Sequence, residues 1–237
     1  MSNIRLFFSD NIVKNMTSLL SKEHTHYVAN VMRMKRGSNI NFFNKEGEWI
    51  SEIIFLDRDR VEIKFLNKVK ESLKSSNIEL AICLVKKNSM ETILQKATEL
   101  GVSRITPIIS ERTEVKELNY ERAQKIVIEA TEQSNQLNPP EISKVIKLKE
   151  FLEKLDNESK FLFADVNSQN NLQKKNVEGD TQKTILIGPE GDFSPSERES
   201  ILAKANTTSF SISKNVLRSD TAVISAISLV NFILNNH

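Results

Sequence analysis

The stretch IGPEGDFSPSE, residues 187–197, ends one secondary-structure element and begins another. An apolar run leads into Gly188, and the order Ser194, Pro195, Ser196, Glu197 is typical of a helix start: the serine caps free amides, the proline suits the first helical position and the glutamate completes a capping box. The turn between them should expose backbone amides at the end of a strand. Gly188 and Gly191 would admit a planar ligand close to the main chain or permit a positive φ, and Pro189 would stiffen the turn.

The ligand class follows from what surrounds those glycines. The turn lacks the dinucleotide-binding fingerprint and the Lys-Ser/Thr ending of a P-loop. Glu190 and Asp192 would repel an anion, so an uncharged or cationic ligand suits the turn better. A sulfonium cofactor whose adenine bonds to backbone groups meets that description. A tight turn before a well-capped helix, with no ligand, is the alternative.

The rest of the second part of the chain alternates between strand-like and helix-like segments. Apolar residues of METILQKATEL, residues 90–100, recur at helical spacing, and helical patterns also cover 119–136, 147–155 and 196–205. Between them lie the strand-like runs IELAICLV, ITPIIS, FLFADV, KTILIG and TSFSI. This alternation predicts an α/β domain with a mostly parallel sheet, whose ligands bind at the carboxyl ends of strands.

The first part of the chain has a different pattern. NIRLFF, SNINFFN, EWISEIIFL and RVEIKFL read as strands around one short helix, with Gly37 and residues 46–48 as turns. The charged, serine-containing segment between Leu66 and Asn77 fits an exposed linker. We therefore predict a small, mostly β domain over 1–75 and an α/β domain over 76–237, with the boundary near Ser75.

Composition excludes several classes of protein. The chain has 237 residues, of which 39% are hydrophobic and 27% charged, and its apolar stretches are too short to span a membrane. The N-terminus lacks the pattern of a secretory signal, and the single cysteine, Cys83, lies in an apolar run and is expected in the core. These features favour a reducing compartment and a cytoplasmic location. The three histidines, His24, His26 and His237, have no ligand-like grouping, so no metal is expected.

Charge is unevenly distributed although the net charge is only +2. Residues 1–75 contain 13 Lys and Arg against 9 Asp and Glu, a net charge of +4, whereas residues 76–237 contain 20 against 22, a net charge of −2. The first domain is therefore the candidate for meeting a polyanion. An ordinary solvated surface is the alternative.

The end of the chain runs from a strand into a helix rich in small and apolar residues, within FSISKNVLRSDTAVISAISLVNFIL, residues 210–234. Apolar residues cover most of the helix circumference. The sheet can bury only one side of such a helix, so we expect a second subunit to pack against another side.

These segments carry a resemblance to a known class. GPEG followed by FSPSE, together with LRSDTA, looks like the signature of the SPOUT class of S-adenosylmethionine-dependent RNA methyltransferases. ILQKATELGV, ITPIISERT and IEATEQSNQLNPPEI, at 93–102, 105–113 and 128–142, resemble the family that methylates N3 of a uridine in 16S ribosomal RNA, U1498 in the standard ribosomal RNA numbering. RLFF and HYVANVMRMKRG, at 5–8 and 26–37, resemble that family's PUA-like RNA-binding β-barrel.

The resemblance implies a trefoil-knotted α/β domain, an S-adenosylmethionine cofactor, a homodimer, and 16S ribosomal RNA or the small ribosomal subunit as partner. The residues that it places around the cofactor are Ile187, Gly188, Pro189, Glu190, Gly191, Ile212, Leu217, Arg218, Thr221 and Ala222. The chain departs from the family pattern at Asp192, Ser213 and Asn215 in this region, and at Gln136, where an Arg is usual.

Methyl transfer requires an aligned donor and acceptor and loss of the N3 proton. Arg218 is the candidate to stabilise negative charge on the uracil carbonyls, and Glu190 or Asp220 is the candidate to accept or relay the proton. Asp220 could instead cap the last helix, and Arg218 could pair with a carboxylate across the fold.

Basic side chains are the candidates for RNA contact, with ordinary surface charge as the alternative for each. They are Arg5, His26, Arg33, Lys35 and Arg36 in the first domain and Lys86 and Arg112 in the second. Two other functions stay open: the same chemistry on another RNA such as tRNA, or an inactive RNA-binding assembly factor that has lost its cofactor pocket through Ser213 and Asn215.

Overall fold

The computed structural model describes residues 4–72 and 76–235. The chain forms two compact units, one built from the residues up to 72 with Thr131–Asn138, the other from residues 76–130 and from Pro139 onward. The predicted boundary near Ser75 lies outside the described residues.

The first unit is a five-stranded sheet with one short helix. The strand order is β1-β3-β4-β5-β2, with β1 and β3 parallel and the other pairs antiparallel. Its core contains Phe8, Phe42 and Phe65, whose rings pack edge-to-face with centroids 5.2–5.9 Å apart. The elements are β1 (Arg5–Phe7), β2 (Thr17–Leu19), α1 (Lys22–His26), a π-helical turn (Tyr27–Val31), β3 (Asn39–Asn44), β4 (Gly47–Leu56) and β5 (Val61–Glu71).

Strand β5 is longer than its sequence pattern predicts. The prediction of an exposed linker from Leu66 was wrong over its first half, because β5 continues to Glu71 and pairs with the start of β4. Half-buried and exposed side chains alternate in this extension with the strand period, and Lys68 and Glu71 form an ion pair of 2.8 Å. Backbone pairing with β4 thus outweighs the low apolar content. Strand β2 was not predicted.

Thr131–Asn138 belongs to the first unit through hydrogen bonds to β1. The Arg5 guanidinium donates to the carbonyl oxygens of Glu132 and Gln136, both at 2.9 Å, and the Phe7 amide donates to the Glu132 carboxylate at 2.8 Å. At the same end of the unit, Lys70 Nζ donates to the Asn135 carbonyl oxygen at 3.0 Å. No sequence pattern predicts this segment, because the hydrogen-bonded partners are between 65 and 131 residues apart.

The second unit is an α/β fold, as predicted. Its sheet has the order β12-β10-β11-β6-β7-β8, with β9 also paired to β7, and every strand pair in it is parallel. The elements are β6 (Ile78–Cys83), α2 (Lys87–Glu99), β7 (Arg104–Ile109), α3 (Tyr120–Gln133), β8 (Glu141–Ile142), β9 (Ile146–Lys147), α4 (Leu148–Lys154), β10 (Lys160–Ala164), α5 (Lys174–Val177), β11 (Lys183–Ile187), α6 (Pro195–Leu202), β12 (Thr207–Phe210) and α7 (Ser219–Asn235).

Helices cover both faces of this sheet, so its central strands β6 and β11 are buried at every position. On one face α2 and α7 pack through residues such as Ile93 and Ile227. On the other face α4 and α6 pack with Phe163 and Phe193. Cys83 is fully buried, and this burial raises the pKa of its thiol to about 12, which confirms the prediction of a core residue. None of the described helices is long and apolar enough to cross a membrane.

Helix α7 buries one stripe of apolar side chains and leaves the ring of Phe232 outside it. Val223, Ala226, Ile227 and Val230, at the spacing of one helix face, are fully buried within the unit. Phe232, on another part of the circumference, is 66% exposed. The chain itself therefore covers only one side of this apolar helix.

Candidate functional site

The glycine turn between β11 and α6 has the capping that the sequence predicts. Ser194 Oγ accepts a hydrogen bond from the Glu197 amide at 3.3 Å, and Glu197 Oε2 accepts one from the Ser194 amide at 3.1 Å. The second oxygen of Glu197 accepts from the Glu111 amide at 2.8 Å. One carboxylate thus fixes the helix start and also ties the turn to the segment after β7.

The two glycines of the turn have different roles. Neither has a positive φ; the residue that does is Asp192, at 58°, whose carboxylate accepts from the Phe193 amide. A Cβ atom at Gly188 would lie 2.9 Å from the Phe193 ring, so packing inside the protein already requires a glycine there. A Cβ at Gly191 would meet only Arg112 carbons, at 3.8 Å, which is ordinary contact. The fold itself therefore leaves room above Gly191.

A cavity of about 120 Å³ opens beside this turn, at the carboxyl ends of β10 and β11. Its wall consists of three segments: residues 164–166 after β10, the glycine turn, and the stretch that leads from β12 into α7. The predicted cofactor residues that line it are Ile187, Gly188, Pro189, Glu190, Ile212, Leu217 and Ala222. Gly191, Arg218 and Thr221 lie next to lining residues in the chain but are not among the lining residues.

The cavity is acidic. Asp165, Glu190 and Asp192 line it, and the described residues of its wall include no Lys, Arg or His. Because Arg198 of α6 pairs with Asp165 from outside this lining, the carboxylates that disfavour phosphate and favour a positively charged ligand are Glu190 and Asp192.

Asp165, a residue that the sequence analysis missed, connects the three wall segments. Its carboxylate accepts from Arg198 Nη2 of α6 at 2.7 Å, from Ser209 Oγ of β12 at 3.1 Å, and from the Asn167 amide at 2.9 Å. Asn167 Nδ2 in turn donates to Asp192 of the glycine turn at 3.4 Å. The Asp165 side chain is fully buried.

The charge state of Asp165 follows from these contacts. Burial acts to raise its pKa, but the hydrogen bonds from Arg198, Asn167 and Ser209, together with the positive charge of Arg198, outweigh burial and lower the pKa. The carboxylate is therefore ionised at neutral pH. Asp165 could have been found from the sequence, because it lies at the carboxyl end of a predicted strand, where ligands of parallel sheets bind, as the glycine turn does. No comparable sequence pattern marks its partner Arg198.

The departures at Ser213 and Asn215 are accommodated in the cavity wall. Ser213 Oγ accepts from the Asn215 amide at 3.0 Å, and Ser211 Oγ donates to the Ser213 carbonyl oxygen at 3.2 Å. Both Ser213 and Asn215 line the cavity. These polar residues thus shape the segment, and next to them Val216 is 85% exposed at the cavity rim.

The three candidate catalytic residues have different surroundings. Glu190 is exposed and lines the cavity. Arg218 is exposed, and in the parts of the chain that the structure describes its guanidinium forms no hydrogen bond or ion pair. Asp220 lies in the first turn of α7 and accepts from the Thr221 amide at 2.7 Å, as the capping alternative expects.

The candidate RNA-binding residues separate into exposed and engaged side chains. In the first unit, His26 is exposed at the end of α1, and Arg33, Lys35 and Arg36 are exposed after the π-helical turn. Arg5 is only 10% exposed; its Nε donates to Glu48 at 3.0 Å, its guanidinium stacks on Phe43, and its other nitrogens bond to carbonyls as described above.

Two candidates belong to the second unit. Lys86 is exposed at the N-terminal end of α2. Arg112 is exposed and donates to the Gly191 carbonyl oxygen at 2.9 Å, which places a cation on the outer side of the glycine turn. In residues 4–72 and 76–235, no three His, Cys, Asp or Glu side chains are grouped to hold a metal ion.

Comparison with known proteins extends over nearly the whole chain. The model of an RNA methyltransferase domain matches residues 71–231, and that of an RNA methyltransferase PUA domain matches residues 20–66. The ribosomal RNA small subunit methyltransferase E of Rickettsia conorii is 31% identical to this chain, covering 98% of it and 96% of the relative. The chain belongs to the ribosomal RNA small subunit methyltransferase E family. The Aquifex aeolicus member of this family is 28% identical, covering 97% of this chain and all of the relative.

Solved structures agree with the family assignment. The Neisseria gonorrhoeae member of the methyltransferase E family, crystallised with S-adenosylmethionine, superposes with a TM-score of 0.90 at 27% identity, covering 98% of each chain. A Legionella pneumophila methyltransferase structure that also contains S-adenosylmethionine superposes with a TM-score of 0.87 at 26% identity, covering 98% of each chain. The resemblance stated from sequence motifs is thereby confirmed for the family and for the α/β and PUA-like domains; the trefoil knot stays a prediction.

Proposed function

We propose that this chain is an S-adenosylmethionine-dependent methyltransferase that methylates N3 of a uridine in 16S ribosomal RNA, U1498 by family resemblance. The observation that carries the proposal is the acidic cavity beside the glycine turn, in a family of which one solved member contains S-adenosylmethionine. Its sheet position and its charge both suit a cofactor with a positive sulfonium. We also propose that the chain acts in the cytoplasm.

The residues present fit this cofactor. Main-chain groups of Ile187–Gly191 would bind its polar edges, and Gly191, which lies between the lining residues Glu190 and Asp192, adds no side chain to this turn. Ile212, Leu217 and Ala222 would cover its apolar surface, with Arg218 and Thr221 next to them. Because the cavity of about 120 Å³ is smaller than the whole cofactor, part of the molecule must extend past the rim at Val216 or this rim segment must move outward.

When bound, S-adenosylmethionine supplies a methyl group on a positively charged sulfur. The in-line transfer forms the N3–methyl bond and breaks the sulfur–methyl bond, and the N3 proton must leave the uracil ring. Glu190, exposed in the cavity wall, would accept or relay this proton, and Arg218 would stabilise negative charge on the uracil carbonyls. Asp220, already engaged at the start of α7, is the second candidate for the proton.

RNA recognition is assigned to both parts of the chain. We propose residues 1–75 as the PUA-like RNA-binding domain and residues 76–237 as the knotted catalytic domain. The exposed group His26, Arg33, Lys35 and Arg36 would contact phosphates, whereas Arg5, the other candidate in this unit, is hydrogen-bonded within it and offers little surface to RNA. Lys86 and Arg112 would lie near the target nucleotide. We also propose a homodimer, supported by the apolar surface that α7 leaves uncovered around Phe232.

A transfer assay with purified components tests the proposed function. The chain is incubated with methyl-labelled S-adenosylmethionine and with small ribosomal subunits or bulk tRNA from cells that lack the enzyme. We expect label in 16S ribosomal RNA as N3-methyluridine. Label in tRNA would support the alternative substrate, and absence of transfer with absence of cofactor binding would support the inactive assembly factor.

A further inference from the structure

A second concave surface in the α/β unit lies between α4, α6 and the segment that follows β7. This groove has a volume of about 620 Å³. Its floor is apolar, formed by Ile109, Leu148 and Leu152, and Ser196 and Ser200 of α6 line one side. None of the predicted site residues lines it, so the function proposed above leaves it without a role.

Lysines dominate the rim of the groove. Lys147, Lys149 and Lys204 line it, and no carboxylate of the described residues lies within ion-pair distance of any of them. A fourth, Lys116, donates to the Thr113 carbonyl oxygen. Unpaired ammonium groups around a concave surface form a site for anions.

The acidic residues of the groove only partly offset this charge. Three glutamates line it, Glu111, Glu153 and Glu197, which leaves four lysines against three carboxylates. Both oxygens of Glu197 already accept backbone hydrogen bonds, from the Glu111 and Ser194 amides. Glu197 is thus held in place at the start of α6, and the side chains that line the groove keep an excess of one positive charge.

The groove begins where the glycine turn ends. Ser196 and Glu197, which line the groove, come only a few residues after Asp192, which lines the cavity. Arg112, next to Glu111 of the groove, donates to the Gly191 carbonyl oxygen and continues the row of cations towards the turn. An RNA strand that delivers a base to the cavity would meet these cations on the other side of the turn.

We infer that this lysine groove binds the phosphate backbone of the RNA strand next to the target nucleotide. The inference rests on the proposed function, because it assumes an RNA substrate. The lysines supply sequence-independent phosphate contacts. Ser196 Oγ bonds to Ser194 Oγ at 3.0 Å and Ser200 Oγ donates to the Ser196 carbonyl oxygen at 2.9 Å, and both hydroxyl oxygens keep a lone pair that would accept from a ribose 2′-OH group. The apolar floor accommodates a sugar or base face.

The test is the double variant Lys147→Gln/Lys149→Gln, which keeps most of each side chain and removes both charges. Its affinity for a labelled 16S ribosomal RNA transcript is measured between about 50 and 200 mM salt. Each lost phosphate contact should make the negative slope of log affinity against log salt shallower by about 0.7, so the slope of the double variant should be shallower by about 1.4. The matched control is Lys154→Gln on the same helix, whose side chain pairs with Glu150 at 2.7 Å.

The expected result is weaker RNA binding and a lower slope in the double variant, with wild-type behaviour in the control and wild-type affinity for S-adenosylmethionine in both. A double variant with the wild-type slope would overturn the inference, as would an equal loss in the control. If wild-type protein methylates 16S ribosomal RNA while the double variant keeps its slope, the groove assignment fails and the proposed function stands.

Discussion

Asp165 shows how a single buried residue can organise the candidate site. Its carboxylate holds the ends of β10 and β12 and the helix α6 around one cavity, with Arg198 as its cationic partner. Removing only one member of such a pair leaves a buried charge without its partner, which costs more than the pair contributes. The pair is therefore a positioning element for the cavity wall.

We expect Arg198→Gln to lower the affinity for S-adenosylmethionine about tenfold or more, because the walls lose their common anchor, and to lower the free energy of unfolding by about 1–2 kcal/mol. Titration calorimetry and urea unfolding measure the two effects. Arg104→Gln, which breaks an exposed pair of 3.0 Å with Glu141, is the matched control and should leave cofactor affinity unchanged. Equal effects of the two variants would contradict the account.

The lowered pKa of Asp165 adds a pH signature to the same variant. A carboxyl whose pKa is lower in the folded state stabilises the protein above its unfolded pKa of about 4 and loses this contribution as pH falls through the folded value. The stability difference between wild type and Arg198→Gln should therefore shrink below about pH 4. A difference that is constant with pH would mean that the charge of Asp165 is not involved.

Gly191→Val tests main-chain binding of the cofactor more cleanly than Gly188→Val does. A Cβ atom at Gly191 would have its nearest neighbours, the Arg112 carbons, at 3.8 Å. A Cβ atom at Gly188 would lie only 2.9 Å from the Phe193 ring. The Gly191 variant should fold normally and lose S-adenosylmethionine binding, because the proposed main-chain contacts require the cofactor to approach the turn closely at this residue, between the lining residues Glu190 and Asp192. Wild-type affinity by calorimetry in the folded variant would contradict this prediction.

At the scale of elements, the sequence predicts those structures that depend on interactions between residues close together in the chain. The capping box at Ser194 and Glu197 and the alternation that builds the parallel sheet were both visible in the sequence, because each depends on residues close together in the chain. The end of β5 at Glu71, the docking of Thr131–Asn138 on β1 and the Asp165–Arg198 pair were not visible. Each depends on partners that are distant in sequence, and polar residues give no periodic signal for such contacts.

Helix α7 carries the element-scale prediction on assembly. A charge at Ile227, which is fully buried in the core of its own unit, would unfold the protein and so cannot test a dimer. Phe232→Glu is the appropriate change, because this side chain is 66% exposed within one chain. Sedimentation should show a folded monomer for Phe232→Glu, with Ile227→Glu unfolded; a folded dimer for Phe232→Glu would contradict the proposed interface.

For the whole molecule, the charge asymmetry assigns most RNA affinity to the first unit. The first 75 residues carry a net charge of +4 and the rest −2. Replacing Arg33, Lys35 and Arg36 by Ala should weaken RNA binding and flatten its salt dependence, because fewer counterions are released from the RNA when fewer phosphate contacts form. Affinity for S-adenosylmethionine should be unchanged, as the cavity lies in the second unit. An unaltered salt slope would exclude these residues from the interface.

A modification map of 16S ribosomal RNA, made from cells with and without this protein, tests the central claim most directly. Methylation at uridine N3 blocks the Watson–Crick edge, so it stops reverse transcription at that nucleotide and changes its mass. The account predicts one N3-methyluridine, at U1498, that is lost without the protein and restored when the wild-type chain is supplied. An unchanged 16S map, or a lost methyl group found only in tRNA, would contradict it.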